Sequence, residues 1–95
     1  MQNSGLGNSI NALKSLMELY EFPLLMIMSH RGTEGENIVG QVPMGESTPR
    51  ILEAMDFRFF RPGDSEAGYN DVRLGWEMSK EEGKPVSVLL DISYW

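Results

Sequence analysis

The sequence contains no cysteine. A disulfide framework and a thiolate metal site are therefore excluded, and a cytoplasmic setting fits. Basic residues are few: 8 against 14 acidic ones, for a net charge of −6. No basic stripe exists, so nucleic acid is not an expected partner. Long hydrophobic runs are missing as well. The longest, Leu24 to Met28, is far too short to span a bilayer, and no membrane association is expected. The N-terminus lacks the charged-then-apolar layout of a signal peptide.

What is present is 95 residues, enough for one small domain at most. The apolar fraction of 41% is that of a globular chain, which argues against disorder. A chain of this size buries roughly 60–65% of its unfolded surface, so its core is marginal unless a partner extends it. No internal repeat or linker stands out.

Periodicity supplies the elements. Asn8 or Ser9 caps a predicted helix running to about Tyr20, with Ile10, Leu13, Met17 and Tyr20 on one face and Lys14 and Glu18 facing water. Pro23 ends it. The apolar run PLLMIM that follows lacks alternation, as suits a strand covered on both faces in a parallel sheet. Residues 29–47 show no period and contain four glycines, so they read as a functional or disordered loop. Thr48 and Pro49 predict a helix start, with Ile51, Leu52 and Met55 as its buried face. FRFF, residues 57–60, reads as a short strand. Ser65 caps a third predicted helix to about Glu82, with Tyr69, Val72 and Trp76 on one stripe and Gly75 as a weak point. Gly83 stops it, Pro85 follows, and VSVLLDI (86–92) is the last strand.

Helices and strands thus alternate, which predicts crossovers and a parallel sheet in an α/β fold. A first helix of this kind is normally delivered by a strand, yet only four residues precede the GLG turn. A sheet cut there exposes an unpaired edge. The chain therefore reads as the later part of a larger α/β unit.

The opening stretch QNSGLGNSINAL carries the first functional signal. A glycine loop before a helix is often only a tight turn. A dinucleotide fingerprint is not met, because Ile10 stands where the third glycine belongs, and a phosphate P-loop lacks its Gly-Lys-Ser/Thr. What survives is a polar loop of Asn3, Ser4 and Asn8 with Gly5 and Gly7 permitting close approach of a backbone or ligand. His30 and Arg31 follow the apolar strand, at the end where doubly wound sheets bind ligands. Arg31 can pair bidentately with a sulfonate or carboxylate, and His30 can donate a hydrogen bond or a proton. Glu34 and Glu36 read as solvated loop charges, and the methionines and Trp76 as packing.

Four segments in order, QNSGLGNSINAL, PLLMIMSHRG, QVPMGESTPRILEAM and KPVSVLLD, resemble the pyrimidine-binding domain of thiamine-diphosphate-dependent decarboxylases. The resemblance is to the alpha-subunit type that acts on sulfopyruvate, with the phosphonopyruvate decarboxylases as near relatives. It implies a three-layer parallel sheet with helices on both faces, here incomplete: residues 1–95 would be a single partial domain, the C-terminal portion of the pyrimidine-binding domain. It also implies that the segment carrying the family's ylid-forming glutamate lies upstream of residue 1, so that the chain alone is inactive. The implied reaction converts 3-sulfopyruvate to sulfoacetaldehyde and CO2 on the way to coenzyme M. Phosphonopyruvate is the alternative substrate, and a non-catalytic remnant or interaction module the alternative role. The implied cofactor is thiamine diphosphate with Mg2+, held mainly by a beta subunit that carries the diphosphate-binding domain. Asn3, Ser4, Gly5, Gly7 and Asn8 would border the cofactor, His30 would be catalytic, Arg31 and Gln41 would meet the small 2-oxo acid, and no metal ligand falls in this chain.

Overall fold

Strand β3 (Pro85–Leu90) is the axis of the fold: Pro85 to Leu89 are buried in succession, on both faces of the strand. It pairs in parallel with β1 (Leu24–Ser29) on one side and with β2 (Phe59–Phe60) on the other, giving the order β1-β3-β2. Leu24 stands opposite Pro85, and Phe59 opposite Ser87. Proline is tolerated in a central strand here because it is the first residue. The computed structural model describes residues 1–94.

Helix α1 (Ser4–Ala12) continues as a π-helical segment (Leu13–Glu18), and α2 (Val42–Ala54) follows a short 3-10 turn at Val39–Gln41. Both lie on one face of the sheet. Leu6, Leu13, Leu52, Met55 and Phe57 pack there with Met26, Met28 and Leu89 into a single core. Helix α3 (Ser65–Glu82) covers the opposite face, where Gly75 faces Leu25 and Val86. The result is the expected α/β arrangement, a parallel sheet with helices on both sides.

Several elements depart from the sequence expectations. The first helix begins at Ser4, after Asn3, and is not capped by Asn8 or Ser9, so Gly5 and Gly7 are helical and the opening stretch is not a loop. Tyr20 lies beyond the helix, exposed, and stacks on Phe22 at 5.9 Å between ring centroids. The doubly covered strand is β3, not β1, whose Ile27 is exposed. Helix α2 begins at Val42, six residues before Thr48. Pro43 occupies its first turn and Pro49 its interior. Pro43 sits where a missing N–H is no loss, and the bond that Pro49 cannot make in the interior is replaced at the Gly45 carbonyl by the His30 ring. Along α3 the buried residues are Gly68, Gly75 and Ser79, while Tyr69 is 67% and Trp76 40% exposed. Small residues let the helix lie close on the sheet. A Cβ on Gly75 would sit 3.1 Å from Leu25 and 3.3 Å from Val86. The cap of α3 is Asp64, whose carboxylate accepts the Ala67 N–H at 2.8 Å. Gly83 ends the helix at φ +66°, as expected.

Ser79 ties α3 to the starts of two strands. Its hydroxyl accepts the Leu24 N–H at 2.7 Å and donates to the Lys84 carbonyl at 2.6 Å. Residues 1–3 run parallel to the outer edge of β1. The Met1 amino group donates to the Ile27 carbonyl (2.8 Å), Ser29 N–H to the Met1 carbonyl (2.8 Å), and Asn3 N–H to the Ser29 carbonyl (3.0 Å). They deliver the chain directly into α1 above the C-terminal end of β1.

Ser87, in the middle of β3, is fully buried, and its hydroxyl has no hydrogen-bond partner among the described residues. An unpaired buried hydroxyl costs about 1–3 kcal/mol. Ser87→Ala is therefore expected to leave stability unchanged or raise it by about 1 kcal/mol, measured as the midpoint of denaturant unfolding. A clear loss of stability would show that the hydroxyl has a partner.

Candidate functional site

In parallel α/β sheets the crevice beyond the strand C-termini is the usual ligand site. Here β1 runs out into His30, Arg31 and Gly32, β2 into Arg61 and β3 into Asp91. A cleft of about 330 Å³ opens at this end, with His30, Thr33, Glu34, Glu46, Pro49 and Arg61 in its wall.

Two glycines bring β1 and α2 together. Gly32 has φ +85°, and a Cβ there would lie 2.0 Å from the Gln41 carbonyl oxygen. A Cβ on Gly45 would lie 2.5 Å from the Arg31 carbonyl oxygen. Backbone thus passes over backbone with no side chain between, which only glycine allows. The Gln41 backbone is drawn against Gly32 in the same contact.

This crossing seats His30 against α2. The ring is 2% exposed, and Nε2 lies 2.9 Å from the Gly45 carbonyl oxygen. In an α-helix that carbonyl would accept from the N–H four residues on. The residue four on is Pro49, which has no N–H. Histidine therefore supplies the hydrogen bond that proline withholds. A carbonyl only accepts, so Nε2 carries the proton and Nδ1 of the neutral ring is an acceptor. Thr48, next to Pro49, is buried and donates to the Met44 carbonyl at 2.6 Å.

Arg31 and Glu36 clamp the loop beyond β1. Nε and Nη2 of Arg31 each donate to one carboxylate oxygen of Glu36 at 2.7 Å. The same carboxylate accepts the N–H groups of Gly32 (2.9 Å), Asn37 (3.1 Å) and Ile38 (3.2 Å). Glu36 is thus not a solvated charge: its side chain is 2% exposed. Its paired, amide-ringed carboxylate is held down to about 2, the guanidinium of Arg31 being the main cause and the Gly32 N–H the next. The pairing raises Arg31 above its ordinary value in turn.

Asn3 is fully buried and pins three segments. Its amide donates to the Arg31 carbonyl (3.2 Å) and to Thr48 Oγ1 (3.0 Å), and its oxygen accepts the Arg31 N–H (3.0 Å). Of its helical neighbours, Ser4, Gly7 and Asn8 are exposed and Gly5 half-buried. The sequence candidates Asn3, His30, Arg31 and Gln41 are thus brought to one end of the sheet. Sequence reasoning missed Arg61, Asp91, Glu36 and Pro49. Asp91 is held below the usual carboxylate range by hydrogen bonds from the Ser93 hydroxyl and N–H, with Arg61 lowering it further.

The chain matches no family model among those compared. Whole-sequence comparison does find relatives. Along all 95 residues it is 48% identical to "Sulfopyruvate decarboxylase subunit alpha" of Methanothermobacter thermautotrophicus, covering 58% of that protein. It is 45% identical to the protein of the same name in Methanococcus maripaludis and 38% to that in Methanocaldococcus jannaschii, covering 57% and 56% of them. In sequence the chain is similar, over its whole length, to sulfopyruvate decarboxylase alpha subunits. It spans a little over half the length of these relatives.

Two outcomes test the geometry. Gly45→Ala is expected to lose about 1–3 kcal/mol or more, because the added carbon meets backbone rather than a movable side chain. Stability equal to the parent chain in denaturant unfolding would contradict the crossing. Glu36 has a depressed folded pKa, so its contribution to stability is fully present above pH 4.5 and is lost as pH falls toward about 2. The stability gap between the parent chain and Glu36→Gln should therefore close over that window. A gap independent of pH would contradict the clamp.

Proposed function

We propose that these residues are part of the alpha subunit of a thiamine-diphosphate-dependent decarboxylase, acting in the cytoplasm, that converts 3-sulfopyruvate to sulfoacetaldehyde and CO2. Residues 1–95 would form a partial pyrimidine-binding domain. The observation that carries this reading is the 38–48% identity, across the entire chain, to proteins named for that activity. His30 and Arg61 in the cleft wall, with Arg31 following β1 at the same end of the sheet, support it.

Thiamine diphosphate, when bound, supplies the electron sink that decarboxylation of a 2-oxo acid requires. The residues of this chain suit one edge of such a pocket: α1 offers an exposed first turn at Ser4, and His30 offers a ring nitrogen without a protein partner among the described residues. Among the described residues no group of three His, Asp or Glu side chains could hold a metal. Mg2+ and the diphosphate would be held mainly by a beta subunit. Ser4, Gly5, Gly7 and Asn8 would border the cofactor at the subunit interface. Asn3, with its amide fully engaged, would hold their turn in place.

His30 would be the catalytic group of this chain. Arg31 would meet the anionic end of the substrate in an orientation fixed by Glu36, which also neutralises it. Arg61, which makes no ion pair among the described residues, would add the net positive charge at the cleft. Gln41 would border the mouth beside Gly32.

The test is carbon dioxide release by the complete alpha subunit assembled with its beta subunit, thiamine diphosphate and Mg2+. Sulfopyruvate should be turned over, and faster than phosphonopyruvate. His30→Ala should lower kcat by about 10²-fold or more, the usual worth of a positioned acid or base. An assembled complex inactive on both acids would refute the reading, and a preference for phosphonopyruvate would change the substrate.

A further inference from the structure

Pro49 sits inside α2, where proline is the least favourable residue because it lacks the N–H of the helical ladder. A residue so unfavourable in its own element draws attention to what it does for another. Its ring nitrogen leaves the Gly45 carbonyl without its helical donor, and that carbonyl lies 2.9 Å from His30 Nε2. The Gly32–Gly45 crossing brings the two elements close enough for the bond to form. No N–H from position 49 competes for the carbonyl. The proton of the neutral ring is therefore fixed on Nε2.

The other ring nitrogen is the consequential one. Nδ1 has no protein partner among the described residues, although the residue is almost wholly buried and borders the cleft. With the proton held on Nε2, Nδ1 presents a lone pair. It accepts a hydrogen bond from a ligand O–H or N–H. The bare oxygen of a sulfonate or carboxylate has no proton to offer it. The cleft wall fits this division: Glu34 and Glu46 are further acceptors, and Arg61 is the cation in the wall.

We propose that Pro49 is a positioning residue for His30: by vacating the Gly45 carbonyl it locks the Nε2–H tautomer and makes Nδ1 the ligand-facing acceptor, which takes an O–H or N–H group rather than the anionic tail. The functional half of this statement rests on His30 acting in the decarboxylase site proposed above. The tautomer half does not.

Two experiments separate them. In nitrogen-15 spectra of the 95-residue chain, at a pH where the ring is neutral, His30 should be a single Nε2–H tautomer. In Pro49→Ala the new N–H competes for Gly45, and a mixture of tautomers should appear while the helix is kept. An Nδ1–H tautomer in the parent chain, or an unchanged single tautomer in the variant, overturns the lock. In the assembled enzyme, His30→Gln can still reach the Gly45 carbonyl but has no group at Nδ1, whereas His30→Asn places an acceptor near Nδ1. The glutamine variant should lose about 10²-fold in kcat and the asparagine variant less. The reverse order overturns the role of Nδ1. An assembly with no decarboxylase activity would sink the functional reading alone, with the tautomer still decided by the spectra.

Discussion

The backbone of residues 31–32 crosses the backbone of α2 at Gly45, and the ligand end of the molecule is organised around that contact. It exists because neither Gly32 nor Gly45 carries a side chain. It brings the His30 ring to the Gly45 carbonyl, lays the Gln41 backbone on Gly32, and sets Arg31 where Asn3 and Glu36 can both hold it. Each of these bonds satisfies a group that burial would otherwise penalise. The Gly45 carbonyl, orphaned by Pro49, is the sharpest case. A helix defect and a buried histidine cancel one another's unmet hydrogen bond.

The rest of the fold holds this end in place from below. Central β3 is covered on both faces, by the α1–α2 core on one and by the small-residue stripe of α3 on the other. Ser79 anchors the strand starts. Charge pairs at the opposite end, Lys84 with Asp56 and Arg58 with Glu82, are solvent-exposed and contribute little by comparison. The Arg31–Glu36 pair differs in kind: its carboxylate is buried and ringed by main-chain N–H groups, so it shapes a loop as well as pairing a charge.

Much of the architecture was legible because the alternation of helix and strand, the Gly83 stop and the apolar strands are local signals. The three-strand parallel sheet, β3 and the extent of α3 follow from them. The failures share a physical cause, which is that tertiary contacts overrode local preference. Gly5 and Gly7 suggested a loop, yet Asn3 is pinned so firmly that the helix starts beside it. Pro49 suggested a helix start, and a histidine 19 residues earlier in sequence made it tolerable in the interior. Glu36 resembled any loop carboxylate until Arg31 folded onto it. Tyr69 and Trp76 matched a helical stripe, but close helix–sheet packing selected the glycines. Of the candidate site, His30, Arg31 and Asn3 could be read from their place in the sequence. Arg61 reaches the cleft, and Asp91 the same end of the sheet, through the order of the strands, which no local pattern reports.

The most direct measurement is native-state amide hydrogen exchange at Arg31 and Gly32. Both lie outside regular secondary structure, yet Arg31 N–H is bonded to Asn3 Oδ1 at 3.0 Å and Gly32 N–H to Glu36 Oε1 at 2.9 Å. If the crossing organises this end of the molecule, the two amides exchange as slowly as those of β3. Exchange at the rate of an open loop would mean that the contact does not hold, and the account of the site would fall with it.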